Sequence, residues 1–145
     1  MTSDAREIDI PEKHHAFLEK HIMGVLTTLR KDGLPSSNPV TYSWNGKCIK
    51  ISTLKSRIKY TSILSDPRVA FCVWSLQNPL QYLEVRGHAS MEDDPDKAFL
   101  REQFLQVSGQ EPPEDLDPPE AERVVITLHP HQVSSPTLYG GRFEK

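Results

Sequence analysis

The sequence predicts a mainly β domain, six antiparallel strands wrapped into a small barrel whose ends are closed by three short helices. Two observations carry this expectation. Six segments rich in β-branched, aromatic and other apolar residues recur along the chain with turn residues between them, and the stretches of helical spacing are few and short. The pairs Asp32-Gly33 and Asn45-Gly46 add hairpin turns between strand patterns.

In chain order, residues 11–21 read as a short helix with Pro11 at its start and Ala16, Phe17 and Leu18 among its apolar residues. Residues 22–29 form the first strand, and Asp32-Gly33 turns it into a return strand over 35–44. Pro39 lies in that strand and cannot donate to a ladder, so the strand is bulged there or lies at an edge. Asn45-Gly46 leads into a third strand over 47–53, and the three strands should form a meander. A helix starts near Ile58 and ends at Asp66-Pro67; the fourth strand follows over 68–76. Asn78-Pro79 turns into a long fifth strand over 80–92, interrupted by Gly87. The helix over 96–107 should bury Phe99, Leu100, Phe104 and Leu105 as one stripe. Residues 108–122 hold six acidic residues and four prolines and read as a solvated surface loop. The last strand runs over 123–130, and an irregular tail follows.

With 145 residues, the chain fits one domain spanning 1–145, long enough for a core without disulfides. A formal net charge of -3 argues against a general nucleic-acid binder, which carries a basic face. Cys48 and Cys72 lack CxxC spacing and read as buried free thiols in a reducing compartment. The first residues lack the apolar region of a signal peptide and no apolar run reaches the length of a membrane span, so a cytoplasmic protein is expected.

The pattern that calls for a functional reading is Lys55, Arg57 and Lys59, spaced by two where a strand gives way to a helix. On an extended chain these side chains would share a face, beside the N–H groups of the helix start. Such a cluster is either an anion site, with Arg gripping phosphate bidentately and Lys acting as a point charge, or a solvated strand end whose charges discourage edge pairing.

The order of the surrounding motifs extends this reading. "GVLTT", the Asp-Gly hairpin followed by proline, "NPV-Y", a strand ending "IST", then "RIK", "DPRV", "VRGHA" and "RVVITLHPHQV" together resemble the pyridoxamine 5′-phosphate oxidase-like split β-barrel family, in particular its branch that uses the deazaflavin coenzyme F-420. The resemblance implies a homodimer whose two cofactor sites lie between subunits. Carried over by position, it implies that Arg57 and Lys59 bind the cofactor phosphate and that Ser52 and Thr53 line the phosphate and ribityl region. Asn38, Pro39 and Val40 would run along the tricyclic ring largely through their backbone, which a bulge at Pro39 would suit. Lys55 would be auxiliary, with Arg30 and Lys31 as weaker candidates. Relatives of this architecture bind FMN, F-420 or haem. The tail offers Arg142 but no Trp, so oxidation of pyridoxamine phosphate itself is not expected.

Tyr82, Glu84, Arg86 and His88 alternate along the fifth strand and could line a substrate pocket or form a solvated face with an internal ion pair; Tyr82, Arg86 and His88 are the catalytic candidates. No metal site is expected. His14 and His15 point different ways, Pro130 separates His129 from His131, and zinc spacing is absent. Neither a G-x-S-x-G elbow nor a glycine-rich phosphate loop is present. The expected activity is hydride transfer from reduced F-420 to a small conjugated molecule such as a quinone, enone or tetrapyrrole. The alternatives are an FMN enzyme of the same fold, or a flavin- or haem-binding carrier.

Overall fold

The structure is a computed structural model that describes residues 6–143. A 3-10 turn (Glu12–His14) leads into helix α1 (His15–Lys20); then come β1 (Met23–Leu29), β2 (Pro35–Thr41), β3 (Ser43–Trp44) and β4 (Ile49–Leu54). Helix α2 (Ile58–Ser65) separates these from β5 (Arg68–Trp74) and β6 (Tyr82–Asp93); α3 (Ala98–Ser108) precedes β7 (Arg123–Ser134). The strands form one antiparallel sheet in the order β2-β1-β5-β6-β7-β4-β3.

One-sided burial sets the curl of this sheet. In β1, β4 and β5 every second residue is buried, and Leu26, Ile51, Phe71, Val73, Leu83, Val85, Ile126 and Leu128 meet in one core. Such one-sided burial wraps the sheet around its apolar face. Turn chemistry follows expectation: Gly33 and Gly46 have φ of 86° and 90°, and the Asn45 Oδ1 accepts the N–H groups of Lys47 and Cys48 at 2.9 and 2.7 Å.

Among the described residues there are seven strands rather than six, because the expected return strand breaks at Tyr42. Its phenol is buried, donates to the Leu18 carbonyl at 2.7 Å, and its N–H donates to the Ile22 carbonyl at 2.9 Å. The chain turns there from the β1 ladder to the β4 ladder. The expected meander is therefore replaced by two hairpins, β1–β2 and β3–β4, at opposite ends of the sheet order. Pro39 lies on an edge strand and is not bulged: β1 and β2 pair without a register break from Met23↔Thr41 to Leu29↔Pro35.

Three further expectations change. Strand β7 runs through Pro130 to Ser134, since Pro130 lies opposite Gly87 at a bulge, where its missing N–H costs no regular ladder bond. In α3, Leu105 is exposed and Gln103 is buried, donating to the Ser43 hydroxyl at 3.1 Å. The acidic loop is not wholly solvated: Asp117 is buried and grips Arg123. Cys48 and Cys72 are free and half-buried. No helix among the described residues is long and apolar enough to cross a membrane.

Candidate functional site

Edge strand β2 and strand β4 lie far apart in the sheet order, yet the curl brings them to one cleft of about 460 Å³. Strand β2 contributes Ser36, Asn38 and Pro39; β4 contributes Ser52, Thr53 and Leu54; the start of α2 contributes Arg57, Ile58 and Lys59; and Arg123 opens β7. Ser36 and Asn38, two positions apart on β2, share the face of the strand that lines the cleft. Arg57 is the N-cap residue of α2, with extended backbone and no side-chain cap, so the first-turn N–H groups of the helix border the cleft without a side-chain partner.

The cations fall into two groups. Lys55 turns away and donates to Glu122 Oε2 at 3.1 Å and pairs with Asp93 Oδ1 at 3.2 Å, and the hydrogen bond to Glu122 raises its pKa first of all. Arg123 donates to both oxygens of Asp117, at 2.9 and 2.7 Å, and to the Ser52 hydroxyl at 3.3 Å. Arg57 and Lys59 form no ion pair among the described residues. Burial, then the neighbouring Arg57 charge, pushes the Lys59 ammonium below its ordinary pKa. Two uncompensated cations beside a helix start and three serine or threonine hydroxyls are a donor set suited to a phosphate.

Of the residues expected from the sequence, the cleft unites Asn38, Pro39, Ser52, Thr53, Arg57 and Lys59. Val40, next to Pro39 on β2, packs its side chain against the core. The strand alternation assumed for Lys55 fails because β4 ends at Leu54 and the chain turns at once into α2. Arg30 pairs with Asp32 and borders, with Lys31, a separate hollow beside α2. Tyr82, Arg86 and His88 do not line the cleft: Arg86 pairs with Glu84 at 3.0 Å, and His88 Nδ1 meets His131 Nε2 at 2.8 Å. Ser36 and Arg123 are the polar lining residues that sequence reasoning missed, and Leu54 and Ile58 the apolar ones. The available signal for Arg123 was a lone cation ending the acidic loop at the first residue of a strand.

A second hollow, of about 370 Å³, shares Pro39 with the cleft and is lined by Ile22, Met23, Trp74 and Leu76, with Lys20, His21 and Gln77 as its polar residues. The His21 Nε2 is buried without a hydrogen-bond partner among the described residues.

An antiparallel barrel left open between two strands, with a cationic phosphate-type cleft at the opening, defines a split-barrel cofactor-binding class. The chain belongs to the pyridoxamine 5′-phosphate oxidase family, whose model matches residues 10–135. Among solved structures it is similar to an F-420 reductase, with 35% identity, a TM-score of 0.75, and coverage of 86% of this chain and 98% of the other. At the level of fold it also resembles a pyridoxamine 5′-phosphate oxidase-related, FMN-binding protein from Nostoc punctiforme (14% identity, TM-score 0.60, covering 83% and 79%). A haem-binding protein from Mycobacterium smegmatis shares the fold as well (19% identity, TM-score 0.66, covering 92% and 57%). No curated protein matches the sequence.

Proposed function

We propose that the protein is a homodimeric, F-420-dependent oxidoreductase that reduces a small conjugated molecule such as a quinone, enone or tetrapyrrole. The observation that carries the reading is the cleft in which Arg57 and Lys59, without an ion pair among the described residues, stand beside the Ser52 and Thr53 hydroxyls. The likeness to an F-420 reductase at 35% identity favours the deazaflavin over FMN.

In this reading Arg57 and Lys59 hold the cofactor phosphate, Ser52 and Thr53 line the adjoining chain, and Asn38, Pro39 and Val40 offer backbone along the ring. The bound reduced cofactor supplies the hydride. The chain binds, orients and dries the site, which is where an enzyme of this kind contributes to rate. The apolar hollow that shares Pro39 suits a flat hydrophobic substrate: Ile22, Met23, Trp74 and Leu76 give contact area, and His21 is among its polar residues. Lys55 and Arg123, already paired with carboxylates, act on the ligand at most through their neighbours.

Titration of the purified protein with F-420 and with FMN, followed by fluorescence, tests the reading. Saturable F-420 binding and oxidation of reduced F-420 by an enone or quinone are expected. Tight FMN binding without F-420 binding overturns the cofactor assignment, and F-420 binding without turnover of any acceptor points to a carrier.

A further inference from the structure

Away from the cleft, strands β6 and β7 and the N-terminal segment bring together a set of donors that the reading above does not use. We propose that Glu7, His88 and His129 form a site for one divalent transition-metal ion. Each offers a ligand atom, and the three atoms lie within 4.8 Å of one another.

The spacing is already close to that of a coordinated set. Ligands about 2.0–2.2 Å from a tetrahedral zinc lie roughly 3.4 Å apart, and Glu7 Oε2 is 3.1 Å from His129 Nδ1. The His88 ring stacks on His129 with centroids 4.7 Å apart and planes 14° apart, so a side-chain rotation brings a nitrogen to the same point. Metal-bound imidazoles hold their other nitrogen in a hydrogen bond that fixes tautomer and orientation. His129 meets that condition here: its Nε2 bonds the Ser90 hydroxyl at 2.7 Å, which leaves Nδ1 toward Glu7. His88 Nδ1 lies 2.8 Å from His131 Nε2, a contact that the ring would exchange on turning toward the ion.

The backbone places these groups for identifiable reasons. His88 and His129 are cross-strand partners, and the bulge that follows leaves His131 without a partner, between Gly87↔Pro130 and Arg86↔Gln132. Both His129 and His131 can therefore flank His88. Gly87 permits the arrangement, because a Cβ there would lie 1.9 Å from the His129 carbonyl oxygen. Glu7 arrives because the Ile8 N–H donates to the Pro130 carbonyl at 2.8 Å. None of the four residues Glu7, His88, Ser90 and His129 lines the cofactor cleft, and His129 lies six positions along β7 from Arg123, roughly 20 Å on an extended strand.

Two imidazoles and one carboxylate select zinc, cobalt, nickel or copper over calcium or magnesium, which prefer oxygen ligands. Three protein ligands leave a coordination position for water or an exchangeable ligand. The ion would also tie the N-terminal segment to the barrel.

The test uses the full chain without a histidine tag, stripped with a chelator and titrated with Zn²⁺ and Co²⁺ by calorimetry and visible absorption. One ion per chain is expected, with a Co²⁺ d–d band and a rise in unfolding temperature. His88→Gln and His129→Gln should abolish these, and Ser90→Ala should weaken binding by about 10–100-fold, the usual effect of losing a supporting hydrogen bond. His14→Gln/His15→Gln should change nothing. Absence of saturable binding overturns the proposal, as does binding that survives His88→Gln with His129→Gln or is lost in the His14/His15 variant. Should the histidine variants fail to fold, selective Cu²⁺ broadening of the His88 and His129 ring resonances in the unaltered protein supports the site, and broadening confined to His14, His15 or His21 overturns it.

Discussion

Arg57 and Lys59 differ from Lys55 and Arg123 in one physical respect: their charges have no carboxylate to answer them among the described residues. A bound phosphate would supply it. Arg57→Ala and Lys59→Ala should each weaken cofactor binding by about 1.5–3 kcal/mol, the scale of a hydrogen bond to a charged group, with unfolding midpoints unchanged. Normal binding by both variants would make the cluster a solvated edge. Arg123 is oriented by Asp117, whose side chain is 2% exposed. The hydrogen bond from Arg123 holds the Asp117 carboxyl below its ordinary pKa. A depressed folded-state pKa means that the pair stabilises the fold fully above the unfolded carboxyl pKa of about 3.9 and loses that stability as pH falls through the lower folded value. Asp117→Asn leaves Arg123 without its partner and should cost about 3–5 kcal/mol at neutral pH. Urea titrations across pH should show the difference from the unaltered protein constant near neutrality and shrinking at the most acidic values; a flat difference would separate the loss from the ion pair.

At the scale of elements, what the sequence made legible was local, and what it hid was long-range. Asp32-Gly33 and Asn45-Gly46 encode their turns in two residues, and the apolar, β-branched character of β1, β4 and β5 marks them as strands, although in β1 the buried face is Gly24, Leu26 and Thr28 rather than its most apolar residues. The break at Tyr42 could not be read, because its cause is a carbonyl in α1, 24 positions earlier. The same holds for the site. Lys55, Arg57 and Lys59 at a helix start left an anion site and a solvated strand end both open until the order of the surrounding motifs was added, whereas Arg123 joins through the long-range pairing of β7 with β4, opposite Leu54. Histidines 88, 129 and 131 carry no spacing signature, since a bulge assembles them. That bulge makes its own prediction. Gly87→Ala drives a Cβ into the His129 backbone, which cannot swing aside as a side chain would. The variant should lose at least about 1–3 kcal/mol of stability, as for an overpacked core, measurable as a lower urea midpoint. It should also disturb the His88 and His129 ring resonances while leaving those of His14 and His15 in place.

For the molecule as a whole, three of the exposed aliphatics gather at one concavity. Ile22, Met23 and Leu76 are 48%, 40% and 76% exposed, and all three line the hollow beside Pro39 with Trp74. A cluster of exposed large aliphatics around one concavity, rather than single residues scattered over the surface, marks a place that another surface covers. A second copy of the chain is the occupant that the proposed shared site requires, and it would close both the substrate hollow and the open flank of the cofactor cleft. Sedimentation velocity at micromolar concentration should therefore show a dimer. Leu76→Arg adds a charge to a residue that the single chain leaves in solvent, so the subunit fold should be retained while the dimer is lost. If the cofactor site is completed between subunits, F-420 affinity should fall together with dimerisation in this variant, although Arg57 and Lys59 are untouched. A monomer with full F-420 affinity would show that the cleft is complete within one chain, and would assign the exposed aliphatics to the substrate alone.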